Sequence, residues 1–133
     1  MAFEPQLTEA MTTRLLIVDD EEPIRFALRE YFVARGYLVD CAQEIEEAEA
    51  LTNANAYDIV IADLRLTGIH GAEGLELVAY VRERCDAKVV LLTAYGTNEI
   101  ERAAYARGAT AFLHKPTPLS VIAELVAKLA TGG

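Results

Sequence analysis

The chain has 133 residues, of which 53% are hydrophobic, and its formal net charge is -9. This length suits a single domain with a buried core and leaves no room for a second one. The excess of acidic residues argues against direct nucleic-acid binding, which relies on Lys and Arg to neutralise phosphates. No segment approaches the roughly 18 apolar residues of a membrane span.

The first residues and the cysteines favour a cytoplasmic protein. Residues 1–13 lack the basic region and apolar core of a signal peptide, so we expect a flexible leader there. Cys41 and Cys85 are far apart and form no CxxC pair, which favours reduced, packed thiols over a zinc site or a redox dithiol. The folded domain is expected over residues 14–130, with a short tail at 131–133.

Segments typical of strands and helices alternate along the domain with short connections. In chain order we predict a strand at 15–18, a helix at 23–35, a strand at 37–42, a helix at 44–54, a strand at 59–62, a helix at 73–84, a strand at 89–93, a helix at 98–107, a strand at 111–113 and a helix at 118–129. Pro23 suits the first turn of a helix, and Gly36 suits a C-terminal cap. This alternation calls for a parallel sheet with right-handed crossovers and helices on both faces.

The strands differ in their pattern of apolar residues, and this difference predicts their order. The first, third and fourth are continuous apolar runs, which suits strands covered on both faces. The second alternates and the fifth is short, so both belong at the edges. The order 2-1-3-4-5 satisfies these conditions and defines a doubly wound, flavodoxin-like α/β fold of three layers. The winding then reverses between the first and third strands, and the crevice there is the predicted binding site.

Polar side chains follow the ends of these strands. Asp19 and Asp20 follow the first strand, Asp63 follows the third, Thr93 ends the fourth and Lys115 comes shortly after the fifth. Two like charges about 4 Å apart repel by roughly 4 kcal/mol at an effective dielectric of 20, so three carboxylates need a compensating cation. Ligation by oxygen alone favours Mg²⁺, Mn²⁺ or Ca²⁺ over zinc.

The same edge of the sheet suits a phosphoryl group. A metal ion, the ammonium of Lys115 and the hydroxyl of Thr93 would surround its oxygens, which is the electrostatic clamp that phosphoryl transfer needs. Asp63 is the natural nucleophile, because carboxylates accept phosphoryl groups covalently.

Four separated motifs carry a resemblance to a known family. LLIVDDEE, IVIADLRL, LLTAYG and FLHKP resemble, in order and position, the signatures of the receiver domain of two-component response regulators. The resemblance covers about residues 14–130. It implies that Asp63 accepts a phosphoryl group from a phosphohistidine on a sensor histidine kinase or a histidine phosphotransfer protein.

The resemblance also implies how Mg²⁺ would be bound. Asp20 and Asp63 would bind the ion directly, together with the backbone carbonyl of Arg65, while Asp19 would hold it mainly through water. The loop after Asp63 departs from the usual pattern, because Thr67 stands where such domains have a proline.

A switch is implied as well. Thr93 and Lys115 would contact the phosphoryl oxygens, and Thr93 and Phe112 would move together on activation. This movement would reshape the surface of the fourth helix, fifth strand and fifth helix for an output domain, a downstream protein or a second copy of the chain. In this family the peptide bond before Pro116 is expected to be cis.

Two other functions are compatible with these residues. A receiver-like module could bind its partners without being phosphorylated. A phosphatase of the haloacid dehalogenase type also uses an aspartyl nucleophile, Mg²⁺, threonine and lysine, but it needs a second acid where this chain has Arg65. The chain is either a stand-alone receiver or a part of a longer regulator or hybrid kinase.

Overall fold

The computed structural model describes residues 12–63, 72–94 and 96–131. The strands are β1 (Arg14–Val18), β2 (Leu38–Ala42), β3 (Ile59–Ala62), β4 (Lys88–Thr93) and β5 (Ala111–His114), and the helices are α1 (Glu22–Val33), α2 (Ile45–Ala54), α3 (Ala72–Arg84), α4 (Asn98–Ala106) and α5 (Leu119–Ala130). The strands form one parallel sheet in the order β2-β1-β3-β4-β5. The predicted fold class and strand order are confirmed.

The sheet separates two apolar cores. Leu15 and Ile17 of β1 contribute to the core beneath α1 and α5, whereas Leu16 and Val18 contribute to the core beneath α2, α3 and α4. All four side chains are at most 1% exposed. Because helices cover both faces, every position of a central strand must be apolar, which explains the continuous runs in the sequence.

The register of the central strands sets the edge at which the chain turns polar. Val18 of β1 is paired with Ala62 of β3, so both strands end at the same level of the sheet. The amide of Asp63 continues the ladder by donating to the carbonyl oxygen of Val18 at 3.0 Å. The first residues beyond the two strands, Asp19 and Asp63, therefore emerge side by side where the winding reverses.

Two glycines end helices in the conformation that the sequence predicts for Gly36. Gly36 has φ 94° and Gly108 has φ 109°. After α1, the amide of Tyr37 donates to the carbonyl oxygen of Phe32 at 3.1 Å, and the amide of Gly36 donates to that of Val33 at 3.0 Å. This is the hydrogen-bond pattern of a Schellman motif, which satisfies the last carbonyls and turns the chain toward the next strand.

Most other predictions concern element boundaries, which agree within a few residues. The first helix ends at Val33 rather than at residue 35, and the peptide bond between Lys115 and Pro116 is cis as expected. None of the helices in the described part of the chain has the length and apolar content that crossing a bilayer requires. The predicted exposed loop at 64–71, residues 1–11 of the predicted leader and the last two tail residues lie outside the described residues.

Candidate functional site at the carboxyl edge of the sheet

The structure brings the predicted polar residues together at one edge of the sheet. Asp19 and Asp20 follow β1, and Asp63 follows β3. One carboxylate oxygen of each lies within 4.8 Å of the others. Thr93 is the last residue of β4, and Lys115 directly follows β5. Parallel strands that end at one level thus collect acids, a hydroxyl and an ammonium from segments far apart in the sequence.

The three carboxylates differ in their access to solvent. Asp19 is 3% exposed and Asp63 is 2% exposed, whereas Asp20 is exposed to solvent. The cluster therefore has two acids at its base and one at its rim. Such an arrangement leaves an approach from the solvent side for an ion or an anionic group.

Lys115 bridges the two buried acids. Its Nζ lies 3.1 Å from Oδ2 of Asp19 and 3.1 Å from Oδ2 of Asp63. Burial by itself lowers the pKa of Lys115, but the hydrogen bonds to the Asp63 and Asp19 carboxylates outweigh it and leave that pKa raised. Lys115 is therefore a cation at neutral pH, and it offsets part of the negative charge of the cluster.

Burial shifts the pKa of Asp19 in the opposite direction from that of Lys115. It raises the pKa of this carboxyl above its ordinary value, although a hydrogen bond from the amide of Glu21 and the proximity of Lys115 oppose the shift. The ionised form of Asp19 is thus held at a cost in the folded protein. A dication would relieve this cost, because it would attract all three carboxylates of the cluster.

The chemistry of the site fits a hard divalent cation. Its ligand atoms are carboxylate oxygens, and no histidine or thiol belongs to the cluster of described residues. Oxygen ligands of this kind are preferred by Mg²⁺ and Ca²⁺. Arg65, whose backbone carbonyl the resemblance adds to the ligand set, lies outside the described residues.

Thr93 is the last residue of β4, and Phe112 lies on the neighbouring strand β5. Thr93 is 0% exposed and Phe112 is 7% exposed. The carbonyl oxygen of Thr93 accepts a hydrogen bond from the amide of Lys115 at 2.9 Å, which ties the ends of the two strands together. The phenyl ring of Phe112 contacts the ring of His114 edge-on, with centroids 5.3 Å apart. The coupled movement of Thr93 and Phe112 stays a prediction.

Gly96 makes room for the buried ring of Phe112. A Cβ atom at position 96 would lie 2.5 Å from Cζ of Phe112 and 3.3 Å from Cγ2 of Thr93. We expect Gly96→Ala to lower the free energy of unfolding by about 1–3 kcal/mol, because the ring must shift to relieve the clash. Urea unfolding measures this cost. In a Phe112→Leu background the same substitution should cost clearly less, and an equal cost in both backgrounds would contradict the assignment.

Arg25 also contacts the site, although it was not among the residues predicted from the sequence. Its Nη1 donates to the backbone carbonyl of Asp19 at 2.8 Å, from the first turns of α1. The signal in the sequence was a cation near a helix N-terminus, where acids are normally favoured.

Comparison with known proteins agrees with the fold. Residues 15–127 match the model of the response regulator receiver domain. The chain therefore belongs to the response regulator receiver domain family.

Relatives with known names are similar over most of this chain. The photosynthetic apparatus regulatory protein RegA of Cereibacter sphaeroides is 36% identical over 116 residues, which cover 86% of this chain and 61% of RegA. The response regulator protein PilR of Pseudomonas aeruginosa is 37% identical over 86% of this chain and 25% of PilR. The chain thus spans about 61% of the length of RegA and a quarter of that of PilR.

Solved structures show the same architecture. The response regulator TrrA of Thermotoga maritima, in complex with Mg²⁺ and BeF, is 36% identical with a TM-score of 0.76, over 89% of this chain and 99% of that one. A response regulator protein of Burkholderia pseudomallei, with a phosphorylated aspartic acid, a calcium ion and citrate, is 28% identical with a TM-score of 0.76, over 90% of this chain and 74% of that one.

Proposed function

We propose that Asp63 is the phosphoryl acceptor of this receiver domain and that a sensor histidine kinase or histidine phosphotransfer protein is the donor. The observation that carries the proposal is the position of Asp63. Its buried carboxylate lies 3.1 Å from the ammonium of Lys115 and within 4.8 Å of the two other acids. A phosphorylated aspartic acid is present in the related structure from Burkholderia pseudomallei.

The transfer follows from the chemistry of these groups. A carboxylate oxygen of Asp63 attacks the phosphorus, while the bond from phosphorus to the donor's histidine nitrogen breaks and the nitrogen keeps the electron pair. Lys115 and Thr93 contact the phosphoryl oxygens. The ammonium of Lys115 is already within hydrogen-bond distance of the acceptor, so it needs little movement to stabilise the charge that develops there.

Mg²⁺ is the proposed resident ion. Asp20 and Asp63 would bind it directly together with the carbonyl of Arg65, and Asp19 would hold it mainly through water. The exposed position of Asp20 and the oxygen-only character of the cluster support this assignment. When bound, the ion neutralises charge on the transferring phosphoryl group. The Mg²⁺ in the related TrrA structure is further support.

Binding of Mg²⁺ should stabilise the protein. At a free concentration 100 times its dissociation constant, an ion that binds only the folded state adds about 2.7 kcal/mol to the free energy of unfolding. Thermal unfolding with and without MgCl₂ measures this gain. Asp20→Asn should remove most of it, whereas Asp86→Asn, at another exposed acid, should keep it. Equal gains in both variants would contradict the proposed ligand set.

The proposed output is a change at the surface formed by α4, β5 and α5. Phosphorylation of Asp63 would move Thr93 and Phe112 and thereby alter the surface offered to an output domain, a downstream protein or a second copy of the chain. The hydrogen bond between Lys115 and Thr93 supports such coupling, because it joins the ends of β4 and β5 beside the acceptor.

Incubation with Mg²⁺ and acetyl phosphate, followed by intact mass measurement, tests the central step. A receiver that works through phosphorylation gains one phosphoryl group. A module that binds partners without phosphorylation gains none, and this outcome would favour the rival function.

A further inference from the structure

We propose that Arg25 is a positioning residue for the metal site, because it fixes the peptide group that joins Asp19 to Asp20. This inference rests on the proposed function of the acidic cluster. Arg25 lies on α1, and its Nη1 donates to the backbone carbonyl of Asp19 at 2.8 Å. The residue is half-buried, so this contact is partly shielded from water.

Arg25 completes a set of contacts that immobilise Asp19. The amide of Asp19 donates to the carbonyl oxygen of Ala42 at 3.1 Å. Its Oδ1 accepts from the amide of Glu21 at 2.9 Å, and its Oδ2 accepts from Lys115 at 3.1 Å. With the bond from Arg25, every polar atom of Asp19 has a partner.

The carbonyl contact acts on Asp20 through covalent geometry. A peptide group is planar, so the direction of the Asp19 carbonyl also fixes the direction of the Asp20 amide. Asp20 is the exposed acid of the cluster, and Asp19 is buried beside it. Arg25 therefore constrains the backbone at Asp20 through the carbonyl group that precedes it.

Arg25 occupies a position in α1 where a positive charge is unfavourable, which supports a role in orienting the Asp19 carbonyl. It lies one turn into α1, where the positive end of the helix dipole disfavours a cation, and the acidic Glu22 occupies the first turn. The positive charge would also repel a dication bound at the cluster. Positioning and charge thus predict opposite effects when the guanidinium is removed, and this makes the inference testable.

The test is calorimetric titration of the purified chain with MgCl₂. Arg25→Met should weaken Mg²⁺ binding by about tenfold or more, the range typical of groups that orient metal ligands. Arg25→Lys keeps a donor that reaches toward the same carbonyl and should restore part of the affinity. If Arg25→Met fails to fold, Arg25→Gln, which keeps an uncharged donor, takes its place with the same expected direction.

A matched variant separates position from charge. Arg29 lies one turn further along α1, is exposed and contacts Glu30 rather than the cluster. Arg29→Met should leave the Mg²⁺ affinity unchanged or slightly tighter, because it removes only a distant positive charge. If the Arg25→Met variant binds Mg²⁺ as tightly as the Arg29→Met variant, or more tightly, the inference is overturned. Failure of the wild type to bind Mg²⁺ would instead refute the proposed metal site.

Discussion

Replacing Asp63 with asparagine is expected to abolish phosphoryl incorporation completely. The lone pair of an amide nitrogen is delocalised, and an amide cannot form the acyl phosphate that a carboxylate forms. Wild-type protein incubated with Mg²⁺ and acetyl phosphate should gain one phosphoryl group by intact mass, and the Asp63→Asn variant should gain none. The loss is expected to be total because, among the described acids, only Asp19 shares with Asp63 a buried position and a contact with the ammonium of Lys115. Asp19 is held in place by a hydrogen bond from the amide of Glu21 and by its contact with Lys115.

The control for this prediction is another conversion of Asp to Asn. Asp86 is exposed before β4, and Asp86→Asn should be phosphorylated like the wild type. Asp63→Asn should remain folded, because the new amide oxygen can still accept from Lys115 while one charge is removed from a crowded site. A mass gain that survives in folded Asp63→Asn would refute Asp63 as the acceptor.

Lys115→Met is expected to have the second largest effect, on both transfer and stability. The rate of phosphoryl incorporation should fall by about 10²-fold or more, because a cation placed where charge develops is lost. The metal-free protein should lose roughly 3 kcal/mol of unfolding free energy at neutral pH, because two buried carboxylates lose their shared partner. The side chains of Asp19 and Asp63 are only 4% and 2% exposed, so water compensates little.

The stability loss in Lys115→Met should depend on pH with a defined sign. The pKa of Asp19 is already raised by burial, and removal of the nearby ammonium raises it further. A carboxyl with a raised folded-state pKa contributes stability that is fully present below its unfolded pKa of 3.8 and is lost as the pH rises through the folded value. The difference from the wild type should therefore be larger at pH 7 than at about pH 4, close to the unfolded pKa.

Urea unfolding at both pH values, with and without MgCl₂, measures this dependence. Mg²⁺ should recover part of the loss at pH 7, because a dication replaces the missing positive charge. Lys128→Met, at an exposed lysine of α5, should change stability little at either pH. A deficit in Lys115→Met that is the same at both pH values and insensitive to Mg²⁺ would argue against the electrostatic role of Lys115.

The fold could be predicted from the sequence because its main signals are local. Continuous apolar runs such as residues 59–62 identify strands that are covered on both faces, and helical spacing between them identifies the crossovers. The edge position of β2 was predicted from its alternation and is correct. The burial along β2 does not alternate, because Val39, Asp40 and Cys41 are all partly buried and only Ala42 is fully buried. Boundaries were less certain, because the last turn of a helix depends on its cap as much as on the apolar pattern.

The composition of the site could also be predicted, because parallel strands necessarily deliver the residues after their carboxyl ends to one edge. Asp19, Asp20, Asp63, Thr93 and Lys115 were all found in this way. Their differences could not be predicted. Nothing local distinguishes the buried Asp19 from the exposed Asp20, since they are adjacent and chemically identical.

The sequence by itself therefore determined the sheet order and the set of groups at its edge, whereas the tertiary structure decided how these groups meet. Lys115 contacts Asp19 and Asp63 across 96 and 52 positions of sequence. Arg25 turns back to the carbonyl of Asp19, a backbone group that carries no sequence signal. Periodicity is a property of neighbouring residues, but burial, bridging distances and the pKa shifts that follow from them depend on how distant segments are packed together.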